Sequence, residues 1–149
     1  MKKMNPVVHF EMPAGDRNRM ADFYSNVFGW EAKFLGEEMG NYVTVSTSET
    51  DENGMIKMPG AINGGFFPKD ENNPNNQPSI VIAVDDINEH VRRISEAGGN
   101  VLNKPMEIPG IGMYASFRDT EGNVCSILQP VMPEWEKADV QDYGYTGEI

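Results

Sequence analysis

The residues best suited to chemistry lie near the start of the chain, where a histidine and a glutamate alternate with apolar residues. In the segment V-V-H-F-E-M at 7–12, the period of two predicts a strand with His9 and Glu11 on one face. Phe10 and Met12 then face the other way. Side chains two residues apart on a strand lie about 6–7 Å apart, within reach of one bound molecule. His9 and Glu11 are therefore candidate catalytic residues that work as acid and base, and equally candidates for ordinary hydrogen bonding.

The strand with these two residues is followed by a predicted helix, and the same order returns 70 positions later. Asp16 is predicted to cap the first helix and Asp86 the second. Gly29 and Gly99 are the corresponding stops. A match of apolar face, cap and stop without a gap indicates an internal duplication. The apolar stripe of the first helix, expected to pack on the sheet, consists of Met20, Phe23, Tyr24, Val27 and Phe28.

Turn-forming segments divide the rest of the chain. A first module over residues 5–68 is predicted to have the order βαβββ, with further strands near 31–35, 42–47 and 61–67. Residues 69–78, rich in Asn and Pro, form the linker. A second βαβββ module spans 79–131, and 132–149 is an acidic, aromatic tail. The chain's 149 residues suit one domain made of both modules.

Composition narrows the class of protein and its partners. Twelve basic residues against 23 acidic ones give a net charge of −11, which argues against nucleic acid or an anionic membrane as partner. The single cysteine excludes an internal disulfide, and no N-terminal apolar segment resembles a signal peptide or a membrane span. We therefore expect a cytoplasmic protein.

Four motifs together resemble a known superfamily. They are H-F-E-M-P-A-G-D in the first strand, F-Y-S-N-V-F-G-W at the end of the first helix, A-G-G-N-V after the second, and D-T-E-G-N-V-C-S-I-L-Q near the close. Over about residues 5 to 131 the chain resembles the glyoxalase, bleomycin-resistance and extradiol-dioxygenase superfamily, or vicinal oxygen chelate family. The resemblance implies an α+β fold, in which two tandem βαβββ modules form a cup-shaped, partly open, barrel-like sheet with the helices outside.

The resemblance also implies where a metal would bind in metal-dependent members. His9 matches the first ligand position, and the other three fall on Asn63, Ser79 and Ser126. One imidazole, one amide and two hydroxyls make a poor set of donors for a divalent metal. We therefore expect no metal or other cofactor, with a divalent metal at a degenerate His9 site as the alternative.

The function expected is that of a metal-independent binder of a small, partly apolar molecule, as in resistance proteins of the family. The alternative is a metal-dependent lyase, isomerase or dioxygenase of the same superfamily, so the sequence leaves open whether the protein is an enzyme. Aromatic and methionine side chains would line the pocket, and we expect a homodimer. The predicted ligand-binding residues are His9, Glu11, Asn63, Phe66, Ser79, Met113 and Ser126.

Overall fold

The structure, a computed structural model, describes residues 3–131. The predicted tail at 132–149 lies outside the described residues. The chain divides into two compact units, one of which is His9–Ile80 and the other the remainder of the described chain. Each unit is described by itself below.

The unit His9–Ile80 contains one α-helix, one short 3₁₀ helix and four strands, which pair both parallel and antiparallel. Strands β2, β3 and β4 pair antiparallel in sequence order, and β1 lies parallel to the other edge of β4. This register places His9 opposite Asn63 and Glu11 opposite Gly65. The elements are β1 (Val7–Ala14), α1 (Arg17–Phe28), β2 (Glu31–Phe34), a short 3₁₀ helix (Glu37–Met39), β3 (Val43–Ser46) and β4 (Asn63–Pro68).

The other unit repeats this order with one strand divided into two pieces. Strand β5 pairs parallel with β9, which pairs antiparallel with β8, and both short strands β6 and β7 pair with β8. Pro105 lies between β6 and β7 and has no N–H to donate to the ladder. The elements are β5 (Ser79–Ala83), α2 (Ile87–Glu96), β6 (Asn100–Val101), β7 (Met106–Ile108), β8 (Gly112–Arg118) and β9 (Val124–Pro130).

Both helices begin where the sequence predicts. Asp16 accepts a hydrogen bond from the Arg19 N–H at 3.0 Å, and Asp86 accepts one from the Glu89 N–H at 3.2 Å. The backbone angles of the two caps agree within a degree, with φ −136° and ψ 103° for Asp16 and φ −136° and ψ 102° for Asp86. This repeated geometry supports the predicted duplication, and the α+β class with two βαβββ modules is confirmed.

The helix stops follow the repeat less closely. Gly29 ends α1 with a left-handed φ of 74°, as predicted. In the second unit, however, the left-handed residue after α2 is Gly98 (φ 98°), and the prediction of Gly99 is wrong by one residue. Gly99 instead allows close packing, because a Cβ there would lie 2.7 Å from Ile94 Cγ2 and 2.9 Å from the Arg118 carbonyl oxygen.

Each unit has its own apolar core beneath its helix. Val43, Val45 and Phe66 are almost fully buried in the unit His9–Ile80, and Phe10 and Met12 pack against this core. The expectation that the α1 stripe packs on the sheet is wrong for three of its five members. Met20 and Tyr24 contact the core, whereas Phe23, Val27 and Phe28 are 54%, 56% and 60% exposed. The core of the other unit is formed by Val84, Ile87, Ala115 and Ile127.

Candidate functional site

The unit His9–Ile80 contains a cavity of about 480 Å³ at the strand that carries Glu11. Its walls combine apolar surface with three polar side chains, those of Glu11, Thr47 and Ser79. Glu11 and Ser79 are themselves buried, at 9% and 8% exposure. The lining residues are Phe10, Glu11, Met12, Trp30, Thr47, Ile62, Pro78, Ser79 and Ile80. A mostly apolar cavity of a few hundred Å³ with a few polar groups is typical of a small-molecule site.

Trp30 is held in place as one wall of this cavity. It directly follows Gly29, whose left-handed conformation ends α1 and turns the chain back toward the sheet. The indole stacks on the Tyr24 ring, with centroids 4.7 Å apart and an interplanar angle of 12°. It also contacts the Phe10 ring at 5.5 Å. Two ring contacts restrict the indole to one orientation, so the aromatic wall is preorganised.

Tyr42 joins the two predicted catalytic residues. Its hydroxyl donates to Glu11 Oε2 at 3.2 Å and lies 2.9 Å from His9 Nε2. Because a phenol has one proton, which goes to Glu11 here, the His9 ring must donate its Nε2–H to the tyrosine oxygen. The structure thus places His9, Tyr42 and Glu11 in one hydrogen-bonded line and assigns the Nε2–H tautomer to His9.

Burial lowers the pKa of His9 from 6.5 to about 4, because desolvation disfavours the imidazolium ion. The ring is therefore neutral at physiological pH, which agrees with a role as a donor to Tyr42. A neutral His9 adds no positive charge to the hydrogen-bonded series that it forms with Tyr42 and Glu11.

Gly65 makes room for this arrangement. It lies opposite both Glu11 on β1 and Thr44 on β3 in the strand register. A Cβ at Gly65 would overlap the phenol ring and the hydroxyl of Tyr42. The absence of a side chain in the middle of β4 therefore lets the Tyr42 ring lie across the strand and reach Glu11.

The remaining predicted residues of this unit lie in different surroundings. Ser79 lines the cavity and its Oγ accepts a hydrogen bond from Asn75 Nδ2 at 3.0 Å. Asn63 is opposite His9, but its Oδ1 accepts from the Thr47 N–H at 2.8 Å, so it orders that loop. Phe66 is 1% exposed within the core, 5.6 Å from the Tyr24 ring. Phe66 therefore packs in the core and is not among the residues that line the cavity, and its contact with a ligand stays a prediction.

Met113 and Ser126 belong to the other unit. Ser126 is 1% exposed and forms a buried hydroxyl cluster with Tyr114 Oη at 2.6 Å and Ser116 Oγ at 3.0 Å. Met113 lines a second cavity of about 440 Å³, together with the carboxylates of Asp85 and Glu107. In this cluster, the Ser126 hydroxyl hydrogen-bonds to the other two hydroxyls.

The donor chemistry does not fit a divalent metal. Within residues 3–131, no group of three or more His, Cys, Asp or Glu side chains is placed to hold a metal ion. His9 Nε2 is engaged with Tyr42, and Asn63 Oδ1 is engaged with Thr47. The hydroxyls of Ser79 and Ser126 are weak neutral donors for such an ion.

Sequence reasoning missed Tyr42, although one signal was present. The pair Gly64–Gly65 lies inside β4, and glycine in a strand often marks the close approach of another group. Gly64 accommodates the Phe10 ring and Gly65 the Tyr42 ring. The signal indicates that something lies across β4 without identifying it.

Comparison with known proteins supplies the family. A model described as Glyoxalase/Bleomycin resistance protein/Dioxygenase superfamily matches residues 7–127. A glyoxylase-like domain-containing protein from Didymella fabae is 32% identical over 120 residues, covering 78% of this chain and 88% of that protein. The anthracycline biosynthesis protein DnrV from Streptomyces peucetius is 27% identical over 146 residues. The match covers 93% of this chain but only 49% of DnrV, so the chain spans about half the length of that relative.

Solved structures agree with the fold. Methylmalonyl-CoA epimerase from Streptomyces coelicolor, in complex with 2-nitronate-propionyl-CoA, superposes with a TM-score of 0.62 at 16% identity, covering 87% of this chain and all of that one. Epimerase from Mycobacterium tuberculosis gives a TM-score of 0.58 at 14% identity, covering 92% and 97%. At these identities the likeness concerns the fold alone.

None of the helices in the described part of the chain is long and apolar enough to cross a membrane. The motifs, the duplicated fold and the matching family model agree, and the chain belongs to the Glyoxalase/Bleomycin resistance protein/Dioxygenase superfamily.

Proposed function

We propose that the protein binds a small, partly apolar molecule in the cavity of the unit His9–Ile80, without a metal. The observation that carries this proposal is the cavity itself. Its lining combines aromatic and aliphatic side chains with two buried polar side chains, those of Glu11 and Ser79. Apolar contact would supply most of the affinity, and the polar groups would select the orientation of the ligand.

The polar groups are held in fixed positions before any ligand arrives. Tyr42 anchors one oxygen of Glu11, and Asn75 anchors the Ser79 hydroxyl. Since these side chains are already ordered, a ligand that contacts them loses little additional conformational entropy. This preorganisation favours recognition of one ligand class over nonspecific uptake of apolar molecules.

The experiment is a thermal-shift screen with a panel of small amphiphilic molecules, repeated with a variant that fills the cavity. Ile62→Trp places an indole in the cavity and should abolish the hits seen with the wild type. Ile111→Trp is the matched control, because it makes the same substitution at a side chain that is 45% exposed and does not line the cavity. Hits should persist in that control. A panel without hits, or hits that persist in Ile62→Trp, would contradict the proposal.

A metal-dependent lyase, isomerase or dioxygenase remains the alternative function. The donor set argues against it, and calorimetric titration with Ni²⁺, Zn²⁺ and Mn²⁺ separates the two. We expect no stoichiometric binding at micromolar concentrations. Stoichiometric binding that disappears in His9→Ala would establish the alternative.

Acid–base catalysis at the same site is a second candidate, favoured by the line from His9 through Tyr42 to Glu11. A carboxylate held by a phenol beside a neutral imidazole can accept or return a proton on a bound ligand. This candidate predicts that Glu11→Gln retains ligand binding and loses turnover. If a ligand from the panel is bound but exchanges no proton with solvent deuterium by NMR, the site is a binding site only.

We further propose that the protein is a cytoplasmic homodimer. The half-exposed apolar side chains Phe23, Val27 and Phe28 on α1 support assembly through that helix. The single cysteine of the chain supports a reducing compartment. Sedimentation equilibrium at micromolar concentration tests the assembly, and a monomer unchanged in Phe28→Ser would refute this part of the proposal.

A further inference from the structure

Phe10 belongs both to the cavity wall and to the apolar core of its unit. Its side chain lines the cavity and also packs against the buried residues of the core. In the strand register it is paired with Gly64 on β4. The position of the Phe10 ring therefore decides where the cavity ends on this side.

Gly64 allows the Phe10 ring to lie against β4. A Cβ on Gly64 would stand 2.4 Å from Cζ of that ring and 2.5 Å from Cδ1 and Cε1. Since three atoms of one ring are this close, the ring covers the α-carbon of Gly64. Glycine inside a strand often marks such a close approach. The ring thus occupies the space that a side chain on residue 64 would fill.

A larger residue at position 64 would move the ring. Carbon atoms in contact are about 3.5–4.0 Å apart, so the ring would have to move by about 1 Å or adopt another rotamer. Strand β4 and the packed core close one side of the ring, and the cavity is free space beside it. Because packed interiors offer few other voids, the ring would move into the cavity.

The volume of the cavity indicates how large a ligand it can take. An apolar cavity of about 150 Å³ binds one benzene molecule, and this cavity, at about 480 Å³, is about three times as large. Six of its nine lining residues have apolar side chains. An apolar body of more than one ring would therefore fill the space and contact its walls.

We propose that Gly64 sets the size of the ligand by positioning Phe10, and that the cavity takes an apolar body of two or three fused rings. This inference rests on the proposed binding function and specifies both its ligand class and its size determinant. Gly64 is a positioning residue, because it acts on the ligand only through the Phe10 ring.

Three uncharged probes test the inference by calorimetry: benzyl alcohol, naphthylmethanol and anthracenylmethanol. They share one hydroxymethyl group and differ in having one, two or three fused rings. The wild-type protein should bind anthracenylmethanol at least about tenfold more tightly than benzyl alcohol, because it buries more apolar surface. In Gly64→Ala the affinity for anthracenylmethanol should fall about tenfold or more, while that for benzyl alcohol stays within about threefold. Benzyl alcohol binding tightest to wild type, or unchanged anthracenylmethanol affinity in Gly64→Ala, overturns the inference and leaves the proposed binding function intact.

A second substitution tests whether Gly64 acts through Phe10. Adding Phe10→Leu to Gly64→Ala removes the overlap and should restore anthracenylmethanol affinity to within about threefold of wild type. Gly99→Ala is the matched control, because its Cβ would also overlap a packed side chain, 2.7 Å from Ile94 Cγ2, at a position that does not line the cavity. It should keep the wild-type ratio of affinities. Failure of the rescue, or the same change of ratio in Gly99→Ala, overturns the inference.

A measurement without ligand tests the movement of the ring by itself. The Phe10 and Trp30 rings are 5.5 Å apart, so displacement of the phenyl ring should change the NMR shift of the Trp30 indole N–H. That resonance should move in Gly64→Ala and coincide with wild type in Gly99→Ala. A resonance that stays in place in Gly64→Ala overturns the inference whether or not any probe binds.

Phe10→Leu alone decides the matter if Gly64→Ala does not fold. It enlarges the same space and should raise the ratio of anthracenylmethanol to benzyl alcohol affinity by about threefold or more. An unchanged ratio overturns the inference. Failure of all three probes with wild type, together with an empty screening panel, overturns the proposed function, and this inference with it.

Discussion

Acidification should destabilise the protein through His9, and the sign follows from where the ring binds its proton. The imidazole has a pKa of about 4 in the folded protein, against 6.5 when solvated. As the pH falls through 6.5, the unfolded chain takes up a proton on this residue while the folded chain does not. The unfolded state is therefore favoured, and stability that is fully present above 6.5 is lost as the pH falls toward 4.

The size of this loss can be worked from the two pKa values. One pKa unit corresponds to about 1.4 kcal/mol at full linkage. Between about pH 7 and about pH 5, the His9 contribution to the free energy of unfolding should fall by about 2 kcal/mol. A loss of this size is a large fraction of the total for a domain of ordinary stability, about 5–15 kcal/mol.

Urea unfolding of wild type and His9→Gln across this pH range isolates the effect. Glutamine does not titrate and can still donate an N–H toward Tyr42. Between about pH 7 and about pH 5, the free energy of unfolding of the variant should therefore fall by about 2 kcal/mol less than that of the wild type. His90→Gln is the matched control, because it removes the chain's other imidazole from α2 and should retain the loss that His9 causes. Direct NMR titration of the His9 ring should show it neutral down to about pH 5.

One result would refute the reasoning behind this prediction. If the pH dependence of wild type and His9→Gln runs parallel, the His9 imidazole is not desolvated as the structure places it. The assignment of a neutral His9 ring that donates to Tyr42 would then fail with it.

Two further substitutions test the packing and the capping described above. Gly65→Ala should destabilise the protein by about 1–3 kcal/mol and displace the Tyr42 ring, because the new Cβ would overlap the phenol. Gly15→Ala is its control, since a Cβ there meets nothing within 4 Å. Urea unfolding measures the stability of the two variants, and the tyrosine NMR resonances report the displacement of the ring. Equal stability of the two variants would exclude the overlap. Asp16→Ala should cost about 1 kcal/mol through loss of the α1 cap, whereas Asp22→Ala, exposed on the same helix, should change the free energy of unfolding by less than about 0.5 kcal/mol. Thermal or urea unfolding measures this pair, and a cost shared equally by both would show that the cap bond contributes nothing.

Local patterns in the sequence were sufficient for the repeated strand and helix of each module. Some features depend only on neighbours within a few residues and can therefore be predicted from the sequence. They are the alternation around His9, the caps Asp16 and Asp86, and the stop at Gly29. The stop at Gly99 was wrong by one residue because two adjacent glycines satisfy the same local rule. Only the contact of Gly99 with Ile94 and the Arg118 carbonyl shows which glycine takes which role.

Burial was the second property that local patterns did not determine. Periodicity places Phe23, Val27 and Phe28 on one face with Met20, but the sheet beneath α1 covers only part of that face. In the same way, the aromatic side chain of Phe66 is of the type expected in a pocket, whereas the structure places it in the core. Which apolar side chains meet the core depends on the extent of the opposing surface, which the order of residues along the helix does not encode.

What the sequence determined by itself is therefore the α+β class, the duplication, the family and the presence of His9 and Glu11 on one strand face. What only the tertiary structure decided is the bond network that gives those two residues a role. Tyr42 lies more than 30 positions from both, and it reaches them because β1 pairs with β4, β4 pairs with β3, and Gly65 leaves the space between. No local rule spans such a separation, since the contact depends on strand pairing and on the missing side chain of a third residue.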